Sequence, residues 1–273
     1  MRIAFFGDVV GRPGRQAIHD HLAQVKRDLS LDFVVVNAEN AAGGFGLTES
    51  IAQEFFGHGA DCLMLGDHAW DQREAMTFIE REDRLLRPIN YASEANAPGR
   101  GFGLYTLPDG RRVGVVQVQG NVFMRQTLEN PFLAVDRVLD EMPLGLVADA
   151  VIVDVHAEAT SEKMAMGHYC DGRASLVVGS HTHVPTADHM CLSGGTAYQT
   201  DAGMCGDYDS VIGMDKANSM ERFRTQLPGR RYEPALGEGS LCGIFVETND
   251  ATGYAEKVAP IRVGGRLAPI LPA

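Results

Sequence analysis

The chain has 273 residues, with 36 acidic against 24 basic side chains for a formal charge of −12, and is 45% apolar. A chain of this length buries a full apolar core without disulfide staples, and its acidic balance argues against a protein that grips long nucleic acid, which needs clustered Lys and Arg. A small phosphate-bearing ligand stays open, because bound metal ions bring positive charge that a side-chain count omits.

Short β-type runs alternate with helical patterns. Arg2–Phe6 reads as a strand, followed by a helix opened by Pro13 with Ile18, Leu22, Val25 and Leu29 on one face. Asp32–Val36 is apolar enough for a strand covered on both faces. Thr48 is placed to cap a helix carrying Ile51 and Phe55, and Cys62–Leu65 is the next buried run. Gly103–Thr106 and Val113–Val118 flank Leu107-Pro108-Asp109-Gly110, a hairpin signal. Pro131 opens a helix with Phe132, Val135, Val138, Leu139 and Met142; a strand at Ala150–Val155, a helix at Ser161–Cys170 and a strand at Leu176–Gly179 follow. Further strands are expected near Thr196–Gln199, Leu241–Val246 and Ala255–Ile261. The order predicts one α/β domain over residues 1–273 with a mixed sheet or sandwich, and Asp215–Pro234 as an excursion from it.

Five cysteines, widely spaced and without a Cys-x-x-Cys pair, fit reduced thiols better than a disulfide framework or thiolate zinc site. The apolar start ends at Gly7-Asp8, too short for a signal peptide. No apolar run approaches the roughly 18 residues of a membrane helix. The expectation is a cytoplasmic protein without a membrane partner.

The informative polar residues fall where the buried runs end. Gly7-Asp8 follows the first strand, Asn37-Ala38-Glu39-Asn40 the second and Gly66-Asp67-His68 the third; His156 and Ser180-His181-Thr182-His183 follow two later runs. Parallel strand ends converge on one crevice in an open α/β sheet. Asp8, Glu39, Asn40, Asp67, His68, His156, His181 and His183 together offer enough oxygen and nitrogen donors for two metal ions. Singly, each has a plainer reading: Asp8 as a turn cap, Glu39 and Asn40 as loop polarity, His156 as a core histidine. On a strand, His181 and His183 would share one face. His19, His21, His58, His168 and His189 read as structural or surface residues.

Other features lead less far. The loop Asp201–Tyr208 reads as a tight turn more than as a pocket wall, and Arg222, Arg224, Arg230 and Arg231 as a solvated surface more than as a phosphate clamp. Ser161-Glu162-Lys163 reads as a helix start more than as a Ser/Lys nucleophile. No Gly-x-Ser-x-Gly, P-loop or His-Glu-x-x-His is present.

The ordered set Gly7-Asp8, Glu39-Asn40, Gly66-Asp67-His68, His156 and Gly179-Ser180-His181-Thr182-His183 resembles the metallophosphoesterase (calcineurin-like) superfamily. The stretches Gly7–Gly11, Asn37–Gly44, His156–Lys163 and Thr182–Asp188 resemble its YmdB-like branch of bacterial cyclic-nucleotide phosphodiesterases, essentially from end to end. The resemblance implies a four-layer α/β/β/α sandwich. It implies one metal on Asp8, Glu39, Asn40 and His183, a second on Glu39, Asp67, His156 and His181, and His68 as the catalytic histidine. Fe or Mn, with Zn as an alternative, would fill these sites. A metal-bridging hydroxide would attack a 2′,3′- or 3′,5′-cyclic mononucleotide while His68 acts as general acid. The alternatives are a phosphomonoesterase or nucleotidase, and a slow-turnover cyclic-nucleotide sensor. The expected partners are a small phosphodiester and a second copy of the chain in a homo-oligomer.

Two departures stand out. The first motif has Asp8-Val9-Val10 where the superfamily usually has Asp-x-His, so Asn40 would supply the missing ligand. Asp67 stands where the branch usually carries Asn. Two divalent ions, three carboxylates and one hydroxide make a formally neutral centre; Asn at position 67 would leave it one positive charge. Asp67 is therefore expected to favour a mixed Fe³⁺/M²⁺ centre, or to lower substrate affinity.

Overall fold

The structure, a computed structural model, describes residues 1–272. The first half runs β1 (Arg2–Phe6), α1 (Gly11–Asp28), β2 (Phe33–Asn37), α2 (Glu49–Gly57), β3 (Cys62–Met64), α3 (Arg73–Phe78), β4 (Leu85–Leu86), β5 (Phe102–Thr106), β6 (Arg112–Gln119) and α4 (Pro131–Glu141). The second runs β7 (Ala150–His156), α5 (Thr160–Tyr169), β8 (Leu176–Ser180), β9 (Met190–Cys191), β10 (Ala197–Gln199), β11 (Gly206–Asp207), α6 (Lys216–Thr225), β12 (Gly239–Thr248) and β13 (Ala255–Val263).

One sheet has the order β11-β12-β1-β2-β3-β4, with β13 also paired to β12; the other has the order β5-β6-β7-β8-β10-β9. Side-chain alternation builds the layers. In the first sheet Ile3, Phe5, Phe33 and Val35 point inward to meet Val113, Val115, Ile152 and Leu176 of the second. Their neighbours Ala4, Phe6, Val34 and Val36 pack outward on Ile18, Leu22 and Val25 of α1 and Ile51 and Phe55 of α2. On the far side, Val116, Val151, Val153 and Val177 pack on Val135, Val138 and Leu139 of α4 and Met166 of α5. The result is the expected α/β/β/α sandwich.

Local signals were faithful where capping chemistry was present. Thr48 accepts from Ile51 N at 3.4 Å to start α2, and Asn130 accepts from Phe132 N at 3.0 Å with Pro131 in the first position of α4. The 102–106 and 112–119 strands pair antiparallel, as the hairpin signal predicts. Helix α1 begins at Gly11, two residues before Pro13, which falls in its first turn. The Asp215–Pro234 excursion carries α6, capped by Asp215, and is tied back at its base: Asp215 N donates to Glu233 O at 2.8 Å and Ala235 N to Gly213 O at 2.9 Å. No helix among the described residues is long and apolar enough to cross a membrane.

β1, β2 and β3 are mutually parallel, as are β6, β7 and β8. The loops after β1, β2, β3, β7 and β8 meet at one edge of the sandwich, and the polar residues are there.

Candidate metal centre

Ligand-type atoms of Glu39, Asp67, His156 and His181 lie within 4.8 Å of one another. His156, the last residue of β7, is fully buried and sets its Nε2 3.0 Å from both Glu39 Oε1 and Asp67 Oδ1. His181 Nδ1 is 3.2 Å from Asp67 Oδ1 and 3.2 Å from His156 Nε2. Asp8 is fully buried beside this group, with Oδ1 3.9 Å from His183 Nε2 and 4.0 Å from His156 Nδ1. Its carboxylate accepts from His181 N at 3.1 Å, which ties the β1 loop to the β8 loop. Asn40 donates through Nδ2 to Gly44 O at 3.1 Å, and its buried Oδ1 has no partner.

The strand expectation for His181 and His183 fails. β8 ends at Ser180, and both histidines have positive φ, 87° and 64°. The reversal sends the two imidazoles to different places, His181 to Asp67 and His156, and His183 to the side of Asp8. His183 Nδ1 lies 2.8 Å from the carbonyl of Ile212; a carbonyl only accepts, so Nδ1 carries a proton and Nε2 is the nitrogen turned to Asp8.

These residues fit a cation. Two imidazole nitrogens 3.2 Å apart share one spot with two carboxylates, the donor set of an Fe, Mn or Zn site. Burial pushes the Asp8 pKa up. Burial acts on Glu39 and Asp67 in the same direction, but the facing His156, and His181 for Asp67, override it and hold both low. Gly66 keeps the space open: a Cβ there would stand 2.2 Å from His156 Nε2 and 2.4 Å from Glu39 Oε2. The unpartnered Asn40 Oδ1 is a further ligand-type oxygen without a hydrogen bond.

His68 stands beside the cluster. Its backbone N donates to Glu39 Oε2 at 3.0 Å, and its Nδ1 is 2.7 Å from Asp71 Oδ2. Burial lowers the His68 pKa, but the carboxylates of Glu39, Asp67 and Asp71 outweigh it and raise it. With Nδ1 held by Asp71, Nε2 is the nitrogen left for chemistry.

Sequence reasoning passed over the supporting residues. Ser180 Oγ is 2.8 Å from His156 Nδ1 and donates to Asp154 Oδ1 at 2.7 Å; Gln117 Nε2 holds the other Asp154 oxygen at 2.8 Å. Burial pushes the Asp154 carboxyl up to about 7. Lys163 is fully buried; its Nζ donates to Asp201 Oδ2 at 2.8 Å and Thr182 Oγ1 at 3.1 Å. It is therefore a structural cation and no Ser/Lys nucleophile. Asp201 lies inside the stretch read as a tight turn and serves as one, accepting from Gly203 N at 2.8 Å. The available signal was a charge inside an otherwise apolar run, Asp154 in β7.

A cavity of about 360 Å³ opens on the centre, lined by Glu39, Asn40, His68, His181 and His183 together with Phe45, Val211, Ile212, Met214 and, from the excursion, Phe223 and Tyr232. The isolated histidines stay outside: His19 pairs with Asp20 and packs edge-on against the His58 ring.

The chain is similar to known proteins along nearly its whole length. The family model described as YmdB-like protein matches residues 4–261. The 2′,3′-cyclic-nucleotide 2′-phosphodiesterase of Bacillus subtilis is 42% identical over 263 residues, spanning 96% of this chain and 97% of the relative. A Thermus thermophilus structure described as a hypothetical protein superposes with a TM-score of 0.89 at 41% identity, covering 97% of this chain and all of that one. A novel phosphatase of Mycoplasma pneumoniae gives a TM-score of 0.89 at 31% identity, covering 97% and 93%.

Proposed function

The chain belongs to the YmdB-like family, and from that premise we propose that it is a metal-dependent phosphodiesterase hydrolysing nucleoside 2′,3′-cyclic phosphates. The observation that carries the reading is the convergence of Glu39, Asp67, His156 and His181 donor atoms beside His68 at the mouth of one cavity. The name of the Bacillus relative supports the 2′,3′-cyclic substrate. One ion would be held by Glu39, Asp67, His156 and His181, and a second by Asp8, Asn40 and His183 with Glu39 shared. When bound, such ions lower the pKa of water and neutralise charge on the phosphoryl oxygens.

The chain's own residues do the rest. Hydrolysis adds the elements of water across the P–O2′ bond, giving a nucleoside 3′-phosphate, and the leaving O2′ needs a proton. His68 supplies it from Nε2, with Nδ1 held by Asp71 so that the ring cannot turn away. Asn40 and His183 are each held by a backbone carbonyl, of Gly44 and Ile212 respectively.

The test is a panel of adenosine 2′,3′- and 3′,5′-cyclic phosphates, bis-p-nitrophenyl phosphate and simple monoesters against Mn- or Fe-loaded protein. The expected result is fastest turnover of the 2′,3′-cyclic compound. Preference for monoesters, for the 3′,5′-cyclic compound, or tight binding with negligible turnover overturns it. His68→Ala should cost about 10²–10⁴-fold in kcat with metal retained, and far less on a p-nitrophenyl leaving group. An equal loss on both would remove the general-acid role.

A further inference from the structure

We infer that the segment from Val211 to Tyr232, which carries most of the Asp215–Pro234 excursion, is the base-recognition wall of the cavity, with Phe223 and Tyr232, together with Phe45, forming the surface that takes the aromatic base of the substrate. The inference rests on the phosphodiesterase reading above and names the part of the substrate that the metal centre cannot recognise.

The cavity is chemically divided. Its carboxylates, amide and imidazoles come from the strand-end loops; its apolar lining is Phe45, Val211, Ile212, Met214, Phe223 and Tyr232. Two of these are set in water: Phe223 is 76% exposed and Ile212 52%. Ile212 also holds a positive φ of 49°. Apolar side chains held at the rim of a site built for an anion need an apolar occupant. The uncharged, planar part of a cyclic nucleotide is its base.

The wall is fixed to the centre. The Ile212 carbonyl takes the His183 Nδ1 proton at 2.8 Å, so the wall and a ligand-type residue are positioned by one hydrogen bond. Phe45 packs edge-on against the His68 ring with centroids 5.2 Å apart. The Arg222 guanidinium lies 4.0 Å from the Tyr232 ring centroid and steadies that ring, so this arginine is a support rather than simple surface charge. Pro234 seats the end of the excursion against Gly11 and Gly44, where a Cβ would meet the proline ring at 2.7 and 3.0 Å. A base placed here would lie against the Phe45 and Tyr232 rings, which already have packing partners, so those two rings add little entropic cost.

The test compares kcat/KM for adenosine 2′,3′-cyclic phosphate with that for 1-O-methylribose 2,3-cyclic phosphate, which carries no base. Wild type should favour the base-carrying compound. Phe223→Ala and Tyr232→Ala should each lower that ratio by roughly 5- to 100-fold, the range of one lost base–aromatic stack. Tyr232→Phe, which keeps the ring, should retain the ratio. Adenosine alone, without phosphate, should compete with the cyclic nucleotide on wild type and more weakly on Phe223→Ala. A wild-type ratio near one, or ratios in both alanine variants within about twofold of wild type, overturns the base wall. Hydrolysis of neither compound by metal-loaded wild type overturns the phosphodiesterase reading, and the base wall with it, and is distinct from a loss of ratio alone.

Discussion

Lys163 is the residue whose removal should most clearly separate the scaffold from the chemistry. It is fully buried, as is Asp201, and the two meet at 2.8 Å. The Asp201 carboxylate also accepts from Thr182 N at 3.2 Å and from Thr182 Oγ1 at 2.5 Å. Thr182 separates His181 and His183, and both of those hold positive φ without being glycine, a conformation that costs about 1–3 kcal/mol each. The pair therefore pins the middle of a strained tripeptide. Lys163→Met keeps the bulk and removes the charge, leaving a buried carboxylate uncompensated, which costs about 3–5 kcal/mol. At about 2–4 °C per kcal/mol for a chain of this size, Tm should fall by roughly 10 °C. Differential scanning calorimetry reads the first effect and metal analysis the second, since a relaxed His181–His183 loop should hold less metal. Lys163→Met combined with Asp201→Asn should recover at least half of the lost stability, because the remaining amide is neutral and still accepts from Gly203 N. A single variant within about 2 °C of wild type, or a double variant no more stable than the single, would refute the reasoning.

Three further outcomes are expected. Ser180→Ala should weaken metal binding by about 10- to 100-fold, the usual cost of losing the partner that orients a ligating imidazole; competition with a chelator measures it, and unchanged affinity would show that Ser180 does not orient His156. Asp67→Asn should lower metal content and raise the affinity for inorganic phosphate, because it removes one negative charge from the centre; metal analysis with phosphate inhibition checks it, and no change in metal content, phosphate affinity or rate would sink the charge argument. In the folded protein at pH 8 one thiol per chain should react fast with a disulfide reagent. Cys191 is the exposed one, whereas burial pushes the Cys62 and Cys170 thiols up to about 12 and Cys242 up to about 11, and Cys205 is buried too; two or more fast thiols would contradict this.

The candidate ligand residues were legible because each stands at the end of an apolar run, where composition changes abruptly. Asp8, Glu39, Asp67, His156 and His181 all follow this rule, and the structure brings them to one edge. The residues that hold them were harder to see. Ser180 and Asp154 act through hydrogen bonds across β7 and β8, which depend on strand pairing that a linear reading does not contain. Asp71 is three residues from His68 in a loop before the short α3, where no periodicity forms. The pairing of Lys163 with Asp201 joins residues 38 apart in sequence. Helix α6 escaped because its apolar Met220 and Phe223 face solvent, 58% and 76% exposed, so no buried stripe marks it.

The acidic excess has its sharpest meaning in the core. Asp201 has Lys163. Asp154 has only neutral hydrogen-bond donors, from Ser180 and Gln117, and burial raises its pKa. Glu39 and Asp67 have neither solution: their ion-pair partners are the imidazoles of His156 and His181, which hold both carboxyls low. An imidazole that must be protonated to compensate them cannot also offer a lone pair, so as a proton-charged cluster the site uses its histidines against their ligand chemistry. A divalent ion removes the conflict, because it meets the carboxylates and takes the lone pairs at the same time. Buried charge without a fixed cation thus points to metal more strongly than the presence of any one ligand residue does.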